Sequence, residues 1–337
     1  MKFHAPAVRP SSLLVLVPAL CLLLSAPAPA AEPVPANGKL KVFILAGQSN
    51  MVGFGQVAGD SPGTMETLVN DNPEAYGHLV DDAGQPLVRD DVWVVDISHA
   101  GDRSRQGWLT TGFGAQGGHI GPEYGFGWVV GDHFEDPVLL IKCAWGGRSL
   151  VHNFLPPSAG DYPPPQEDGD MGFQYAEVLR MVKEVTGDLE TYFPDYEGDD
   201  YEIVGFGWHQ GWNDRINAAA VDAYEGNMVH FIKDIRNDLG IDNLPFVIAN
   251  TGISGWDITG GYRERVEKHM EAQLAPADAD KYPEFAGNVA GVETRDFWRT
   301  QEQSPSGQGF HWHRNWETLY LIGAGMGEAM VGLLGGE

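Results

Sequence analysis

The sequence predicts an α/β domain with a parallel sheet covered by helices on both faces. Five short apolar runs have the length of buried strands, and segments with apolar residues at helical spacing lie between them. Hydrophobic residues make up 43% of the 337 residues, which supports a sizeable core and argues against global disorder. Neither an internal repeat nor a linker divides the chain, so one domain with long loops is expected.

The predicted strands are apolar throughout, as strands buried on both faces of a parallel sheet are. They cover residues 39–46, 92–97, 138–144, 203–209 and 245–250. Apolar residues at the spacing of one helix face predict helices over residues 175–186, 221–239 and 319–334. Loop-like stretches rich in glycine or proline cover residues 53–91, 100–125 and 152–171. Long loops of this kind commonly build the binding face at the carboxyl ends of the strands.

The first 31 residues have the features of a cleavable secretory signal peptide. Two basic residues precede an apolar run over residues 13–24, and small residues at 28–31 resemble a cleavage site. Pro18 interrupts the run, which is shorter than the roughly 20 apolar residues of a membrane span. We therefore expect export to the periplasm or beyond, without stable membrane insertion. The expected organisation is a signal peptide over residues 1–31, a flexible lead-in over 32–38 and one domain over 39–337.

The composition excludes several classes of partner. Asp and Glu number 47 against 21 Lys and Arg, and the formal net charge is -26 at pH 7. Nucleic acids and anionic membrane surfaces are bound through clustered Lys and Arg, so neither is an expected partner. A surface of this sign also disfavours highly anionic polymers. Signal cleavage would leave Cys143 as the one cysteine, so no disulfide framework is expected.

Polar residues follow several predicted strands at the point where each strand ends. The first strand leads into GQSNM at residues 47–51, and a serine on a tight turn after a buried strand is well placed as a nucleophile. The alternative is that Ser49 merely caps the following segment. Three further blocks are AWGGRS at 144–149, WHQGWND at 208–214 and FHWHRN at 310–315. The blocks predict that Ser, Gly, Asn and His groups meet at one edge of the sheet.

The order of these blocks resembles that of the SGNH/GDSL hydrolases, over about residues 41–334. The GQSNM string is similar to that of the sialate O-acetylesterase and acetylxylan esterase branch of this superfamily. GWND at 211–214 matches the G-x-N-D block, and GGRS at 146–149 is similar to the Gly-Gly-Thr-Ser of the branch. The resemblance implies a three-layer α/β/α flavodoxin-like fold, a serine esterase site, and no cofactor or metal.

The resemblance also implies roles for individual residues. Ser49 would be the nucleophile. Its backbone N–H, the N–H of Gly147 and the side-chain amide of Asn213 would form the oxyanion hole, with Gly146 as the alternative to Gly147. Ester hydrolysis needs such donors because charge develops on the carbonyl oxygen, and one donor typically lowers the barrier by about 3–4 kcal/mol.

Two histidines are candidates for the general base. His313 has the spacing usual for the superfamily, since Asn315 follows two residues later and Gly323 ten residues later. His311 instead follows the Gln-Gly-aromatic sequence at 308–310 that resembles exported members of the branch. In an extended segment both rings would face the same side. His313 is preferred, and His311 stays open.

The acid that usually stands three residues before the base is missing. Those positions hold Gln308 and Phe310. A distant acid, Glu293 or Asp296, or a backbone carbonyl would then have to orient the histidine. A Ser–His pair without the acid still supports the reaction, because the acid only orients the ring and stabilises the imidazolium.

Glutamine and tryptophan residues within the blocks are predicted to support the site. Gln48 and Gln210 are expected to orient it through hydrogen bonds, the alternative being that they tie loops together. Trp212 and Trp312 are expected to contact a sugar ring, whereas Trp208 lies within a strand and is expected in the core.

The expected function is hydrolysis of O-acetyl esters on carbohydrate, outside the cytoplasm, by way of an acyl-enzyme. The acidic charge favours neutral acetylated glycans. Two alternatives remain: a non-catalytic carbohydrate-binding protein on an esterase scaffold, and an esterase for lipid or aryl esters. His311 and His313 as metal ligands are a weaker interpretation, because no neighbouring motif completes a metal site.

Overall fold

The computed structural model describes Met1 and residues 39–99, 104–198 and 200–335. Apart from Met1, the predicted signal peptide and lead-in lie outside the described residues, so these two predictions stay untested. Within the described ranges, none of the helices combines the length and hydropathy that a membrane crossing requires.

A central sheet of seven strands and a small two-stranded ribbon account for the extended structure. In chain order the strands are β1 (Leu40–Gly47), β2 (Gly55–Gln56), β3 (Arg89–Asp96), β4 (Arg105–Leu109), β5 (His119–Ile120), β6 (Val138–Ala144), β7 (Tyr201–His209), β8 (Phe246–Ala249) and β9 (Val289–Val292). The central sheet has the order β4-β3-β6-β1-β7-β8-β9, and β2 pairs with β5. Every neighbouring pair in the central sheet is parallel except β3 and β4 at one edge.

The helices lie between the strands. They are α1 (Ser49–Val52), α2 (Met65–Asp71), α3 (Pro73–Tyr76), α4 (Pro122–His133), α5 (Phe173–Gly187), α6 (Leu189–Tyr192), α7 (Trp212–Arg215), α8 (Ala218–Leu239), α9 (Arg263–Leu274) and α10 (Trp316–Leu333). The three predicted helices correspond to α5, α8 and α10, and the five predicted strands correspond to β1, β3, β6, β7 and β8.

Two hydrophobic cores, one on each face of the sheet, confirm the three-layer α/β/α prediction. Successive side chains of β1 point to opposite faces, with Val42 and Ile44 in one core and Phe43 and Leu45 in the other. Helices α5 and α8 cover the first face, and α4 and α10 cover the second. Because both faces are buried, β1 is apolar at almost every position.

Helix α4 corrects the expectation that residues 100–125 are loop-like throughout. Each glycine in α4 weakens the helix by about 1 kcal/mol relative to alanine, so the sequence pattern did not predict a helix here. The close packing of α4 against α10 requires glycines at the contact. A Cβ on Gly125 would lie 2.1 Å from the carbonyl oxygen of Tyr320, and one on Gly323 would lie 2.0 Å from that of Pro122.

Helix α2 likewise corrects the loop expectation for residues 53–91. The side chain of Thr64 caps it by accepting a hydrogen bond from the N–H of Thr67 at 3.3 Å. The sequence also did not reveal the edge strands β4 and β9. Both are short, and β4 is only partly buried, so neither has the long apolar run of a central strand.

A fully buried ion pair links the sheet to the helices around it. Lys142 of β6 and Glu123 of α4 have side chains that are 0% exposed, and their charged atoms lie 2.7 Å apart. The Lys142 ammonium also donates to the carbonyl oxygens of Val52 and Phe113, each at 2.8 Å. Since Val52 ends α1, this lysine ties the C-terminus of that helix to the sheet.

Replacing Lys142 by methionine should therefore destabilise the fold strongly. The variant would leave the Glu123 carboxylate buried without its cation, which typically costs about 3–5 kcal/mol. Urea unfolding measures the loss. Lys233→Met, which breaks the exposed pair with Glu284 (3.1 Å), is the matched control and should cost less than about 1 kcal/mol. Equal midpoints for the two variants would show that the buried pair has no special role.

Candidate active site at the carboxyl edge of the sheet

The carboxyl ends of three adjacent strands bring the sequence blocks together. In the sheet register, Gly47 at the end of β1 pairs with Ala144 of β6 on one side and with His209 of β7 on the other. A Cβ on Gly47 would lie 2.2 Å from the carbonyl oxygen of His209, so only glycine permits this approach. Ser49 opens α1 two residues later and is partly exposed.

The buried side chain of Gln48 connects this edge. It is 1% exposed, and its Nε2 donates to the Oδ1 of Asn213 at 3.1 Å. Its Oε1 accepts from the N–H groups of Gly211 (3.1 Å) and Asn213 (3.2 Å) and from the Nε2 of Gln210 (3.2 Å). Gln48 thereby holds the turn after β7 next to the nucleophile candidate.

Gln210 and Asp214 extend the network to the loop after β6. The Gln210 amide donates to the Asp214 carboxylate at 2.6 Å and to the Arg148 carbonyl at 2.9 Å. Asp214 accepts from the backbone N–H groups of Leu150 (3.0 Å) and Val151 (2.9 Å). Burial raises the pKa of Asp214, and these hydrogen bonds to its charged form oppose that rise. The loops after β6 and β7 are therefore joined by buried polar contacts.

The predicted oxyanion donors belong to three loops that meet at this edge. The Nδ2 of Asn213 donates one hydrogen to the carbonyl oxygen of Gly147 at 2.9 Å, which leaves its second hydrogen for another acceptor. Gly147 has φ +71°, in the left-handed region that favours glycine, and the space beside its Cα is open. The N–H of Ser49 lies in the first turn of α1, where helix N–H groups have no intrahelical acceptor. Gly146 also borders open space.

Both candidate histidines lie in a strained turn just before α10. Residues Gly309–Arg314 form a 3-10 segment, and Trp312, His313 and Arg314 have φ values of +52°, +54° and +59°. The segment is therefore not extended, which is the condition under which both rings would face the same side. The fully buried indole of Trp312 anchors the turn, 6.3 Å from the ring of His209 at the end of β7.

The two histidine rings have different surroundings. The ring of His311 stacks on Phe54, shortly after α1, with ring centroids 3.8 Å apart. The ring of His313 packs against Trp298 at 4.9 Å, and its Nδ1 lies 3.0 Å from the carbonyl oxygen of Ser306. That carbonyl accepts a hydrogen bond when Nδ1 carries the proton, which leaves Nε2 free to act as a base.

Burial keeps both rings neutral near pH 7. It lowers the pKa of His311 to about 4, helped by the nearby Arg314 cation. It also lowers the pKa of His313, and the Ser306 hydrogen bond and the Glu302 charge partly offset this effect. A neutral ring is the form that accepts a proton, so either histidine has the protonation state of a general base.

The acids considered from the sequence are engaged elsewhere. Glu293 binds the guanidinium of Arg295 at 2.6 and 2.8 Å, and Asp296 accepts from the indole of Trp256 at 2.8 Å. Glu302, whose charge acts on His313, was not among the candidates. It lies eleven residues before that histidine, and only the folding of the intervening loop brings the two together, so spacing carried no signal.

The predictions for the three tryptophans have different outcomes. Trp208 is fully buried, as predicted for a core residue. Trp312 is also 0% exposed and has no ring face open to a ligand, so its prediction as a sugar contact is wrong. Trp212 is partly exposed, but the Arg215 guanidinium lies 3.4 Å from its ring centroid and covers one face. Phe310, 44% exposed and 6.2 Å from Trp212, is an aromatic group that the sequence interpretation missed.

The chain belongs to the carbohydrate esterase family of sialic acid-specific acetylesterases, whose model matches residues 39–302. It is therefore a carboxylic ester hydrolase, and the superfamily resemblance seen in the sequence is confirmed. This assignment favours an esterase over a non-catalytic binding protein. The matched range ends before both histidines, so it does not choose between them.

Solved structures share the fold at low identity. A protein from Arabidopsis thaliana is 20% identical, with a TM-score of 0.53 over 87% of this chain and 98% of that chain. A carbohydrate acetylesterase from Xanthomonas citri is 14% identical, with a TM-score of 0.51 over 88% of this chain and 57% of that chain. No curated protein matches the chain. At these identities the solved structures support the fold alone.

Replacing Gln48 by methionine should lower both stability and turnover. The change leaves the N–H groups of Gly211 and Asn213 without their acceptor, and each unsatisfied buried group typically costs about 1–3 kcal/mol. Thermal unfolding and p-nitrophenyl acetate kinetics measure the two effects, and we expect turnover to fall about tenfold or more as Asn213 loses its support. Gln106→Met is the control, because Gln106 is an exposed glutamine on β4, an outermost strand of the sheet, and donates to Thr191. Unchanged turnover in Gln48→Met would refute the positioning role.

Proposed function

We propose that this protein removes O-acetyl groups from carbohydrate outside the cytoplasm, through an acyl-enzyme on Ser49. The family assignment supports the ester hydrolase chemistry and an acetylated carbohydrate as substrate. One geometric observation carries the choice of site: Asn213 lies hydrogen-bonded to Gly147 at 2.9 Å, at the edge where Ser49 opens α1. Export is proposed from the signal-like features of the first 31 residues.

The reaction begins when a neutral histidine accepts the Ser49 hydroxyl proton. The serine oxygen attacks the acetyl carbonyl, and the resulting oxyanion accepts hydrogen bonds from the N–H groups of Ser49 and Gly147 and from the Asn213 amide. The histidine then protonates the departing sugar hydroxyl. Water, deprotonated by the same histidine, attacks the acetyl-serine ester and releases acetate, which restores the free serine.

The structure offers a substitute for the missing acid. The Ser306 carbonyl can hold the His313 ring in the tautomer with Nε2 unprotonated, which is the orienting part of an acid's role in a triad. This favours His313 as the base. His311 remains the alternative, because its ring stacks on Phe54 close to α1. Within the described part of the chain, neither ring is hydrogen-bonded to Ser49, and such contacts commonly tighten only with substrate bound.

Replacing Ser49 by alanine should abolish acetate release, because no other group there can form the acyl-enzyme. We expect at least a thousandfold loss of kcat/KM on acetylated oligosaccharides and on p-nitrophenyl acetate, with an unchanged circular dichroism spectrum. Ser158→Ala is a stringent control, because Ser158 already forms a 2.7 Å hydrogen bond with His230 at an exposed site. Survival of activity in Ser49→Ala would overturn the assignment, most clearly if Ser158→Ala were inactive.

Alanine substitutions of His311 and His313 should separate the base from its neighbour. Loss of a general base typically costs about 10²–10⁴-fold in rate, whereas the other variant should lose much less. The pH profile of kcat/KM supplies a second readout. Since both pKa values are lowered, activity should persist below pH 6.5 and fall only as the base becomes protonated, near pH 4 for His311.

The Glu302→Gln variant gives a further test of which histidine is the base. The Glu302 charge raises the pKa of His313, so its removal should lower that pKa and move the acid limb to lower pH. The shift should occur only if His313 is the base. If the acid limb of the pH profile does not move in Glu302→Gln, and His311→Ala loses most of its activity, His311 is the general base.

A further inference from the structure

We propose that the cavity beside Gly146 binds an uncharged sugar unit of the substrate next to the acetylated one. The proposal rests on the esterase function above and specifies its substrate further. The cavity has a volume of about 670 Å³, within the range of small-molecule sites. Its walls come from the ends of β3 and β6 and from α5.

The cavity adjoins the proposed reaction centre. Trp145, Gly146 and Arg148 line it, and the next residue along this loop, Gly147, accepts the hydrogen bond from Asn213. The backbone N–H of Trp145 donates to the carbonyl oxygen of Gly47 at 3.2 Å, two residues before Ser49. The loop that carries Gly147, a proposed oxyanion donor, therefore also forms one wall of the cavity.

Each guanidinium that lines the cavity is already bound to a carboxylate. Arg148 binds Asp168 at 2.6 Å, and Arg180 binds Glu177, at 2.8 Å, as well as Glu184. A carboxylate or sulfate on the ligand would face two carboxylates as well as two guanidinium groups that are already neutralised. Hydroxyl groups both donate and accept, so an uncharged sugar can satisfy carboxylate and guanidinium groups together.

Two buried polar atoms indicate unfilled hydrogen-bonding capacity at the wall. Gln174 is 0% exposed and donates to Asp168 at 2.9 Å, yet its Oε1 has no partner among the described residues. The Nε of Arg148 is likewise without a partner in the same part of the chain. Buried polar atoms are rarely left unsatisfied, so an acceptor and a donor beside one cavity favour a polar ligand or its ordered water.

The experiment compares an acetylated neutral oligosaccharide with vinyl acetate, which has no sugar. The double variant Glu177→Ala/Arg180→Ala removes two cavity-lining side chains of opposite charge without a change in net charge, and it frees Glu184, the second carboxylate partner of Arg180, which lies outside the lining. We expect the ratio of kcat/KM for the oligosaccharide to that for vinyl acetate to fall at least fivefold, chiefly through KM for the oligosaccharide. The control Arg263→Ala/Glu267→Ala removes a comparable exposed pair (2.8 Å) from α9, and its ratio should match the wild type.

A second measurement tests sugar binding in a variant that cannot turn over substrate. Calorimetric titration of the Ser49→Ala variant with the unacetylated neutral oligosaccharide should show binding that weakens at least fivefold when the Glu177/Arg180 pair is also removed. An unchanged ratio and unchanged affinity would overturn the cavity proposal, as would tighter binding of a carboxylated oligosaccharide. Failure of the proposed function is recognised separately, because Ser49→Ala would then still hydrolyse vinyl acetate.

Discussion

The site depends on one buried amide, the side chain of Gln48. It follows the last residue of β1, where Gly47 allows the backbone to lie against β7, and it joins the turn after β7 through four hydrogen bonds. Buried polar groups of this kind are favourable only when every donor and acceptor is matched. Because the matched partners include both the backbone and the side chain of Asn213, this residue, a proposed oxyanion donor, is tied to the segment that carries Ser49, the proposed nucleophile.

Burial also determines the protonation that the chemistry needs. The chain is strongly acidic, but the groups proposed to take part in the reaction are neutral histidines, a serine hydroxyl, an amide and backbone N–H groups. Burial lowers the pKa of both candidate bases, so the base is available without a carboxylate hydrogen-bonded to it among the described residues. In the cavity beside Gly146, each lining guanidinium is already bound to at least one carboxylate. Such surroundings favour an uncharged, polar substrate.

The strands that carry the blocks were predictable because their apolar runs are long and buried on both faces. Ser49, Gly147 and Asn213 follow such strands within two to four residues, so strand register brings them to one edge of the sheet, where buried hydrogen bonds fix the turns that carry them. The histidines do not follow a strand. Their orientation depends on three residues with positive φ around the buried Trp312, and this conformation has no signature in residue spacing. Helix α4 was hidden for a related reason, since its glycines serve a close contact with α10 that is invisible along the chain.

The sequence by itself determined the fold class, the family and the edge of the sheet where the reactive groups gather. Those features come from local patterns: hydrophobic period, turn residues after strands, and short motifs. The tertiary structure decided which groups surround each histidine, which tryptophan is covered and which carboxylates bind the guanidinium groups beside Gly146. These outcomes depend on contacts between segments far apart in the chain, such as Phe54 with His311 and Trp212 with Phe310, and burial and distance are properties of the packed chain alone.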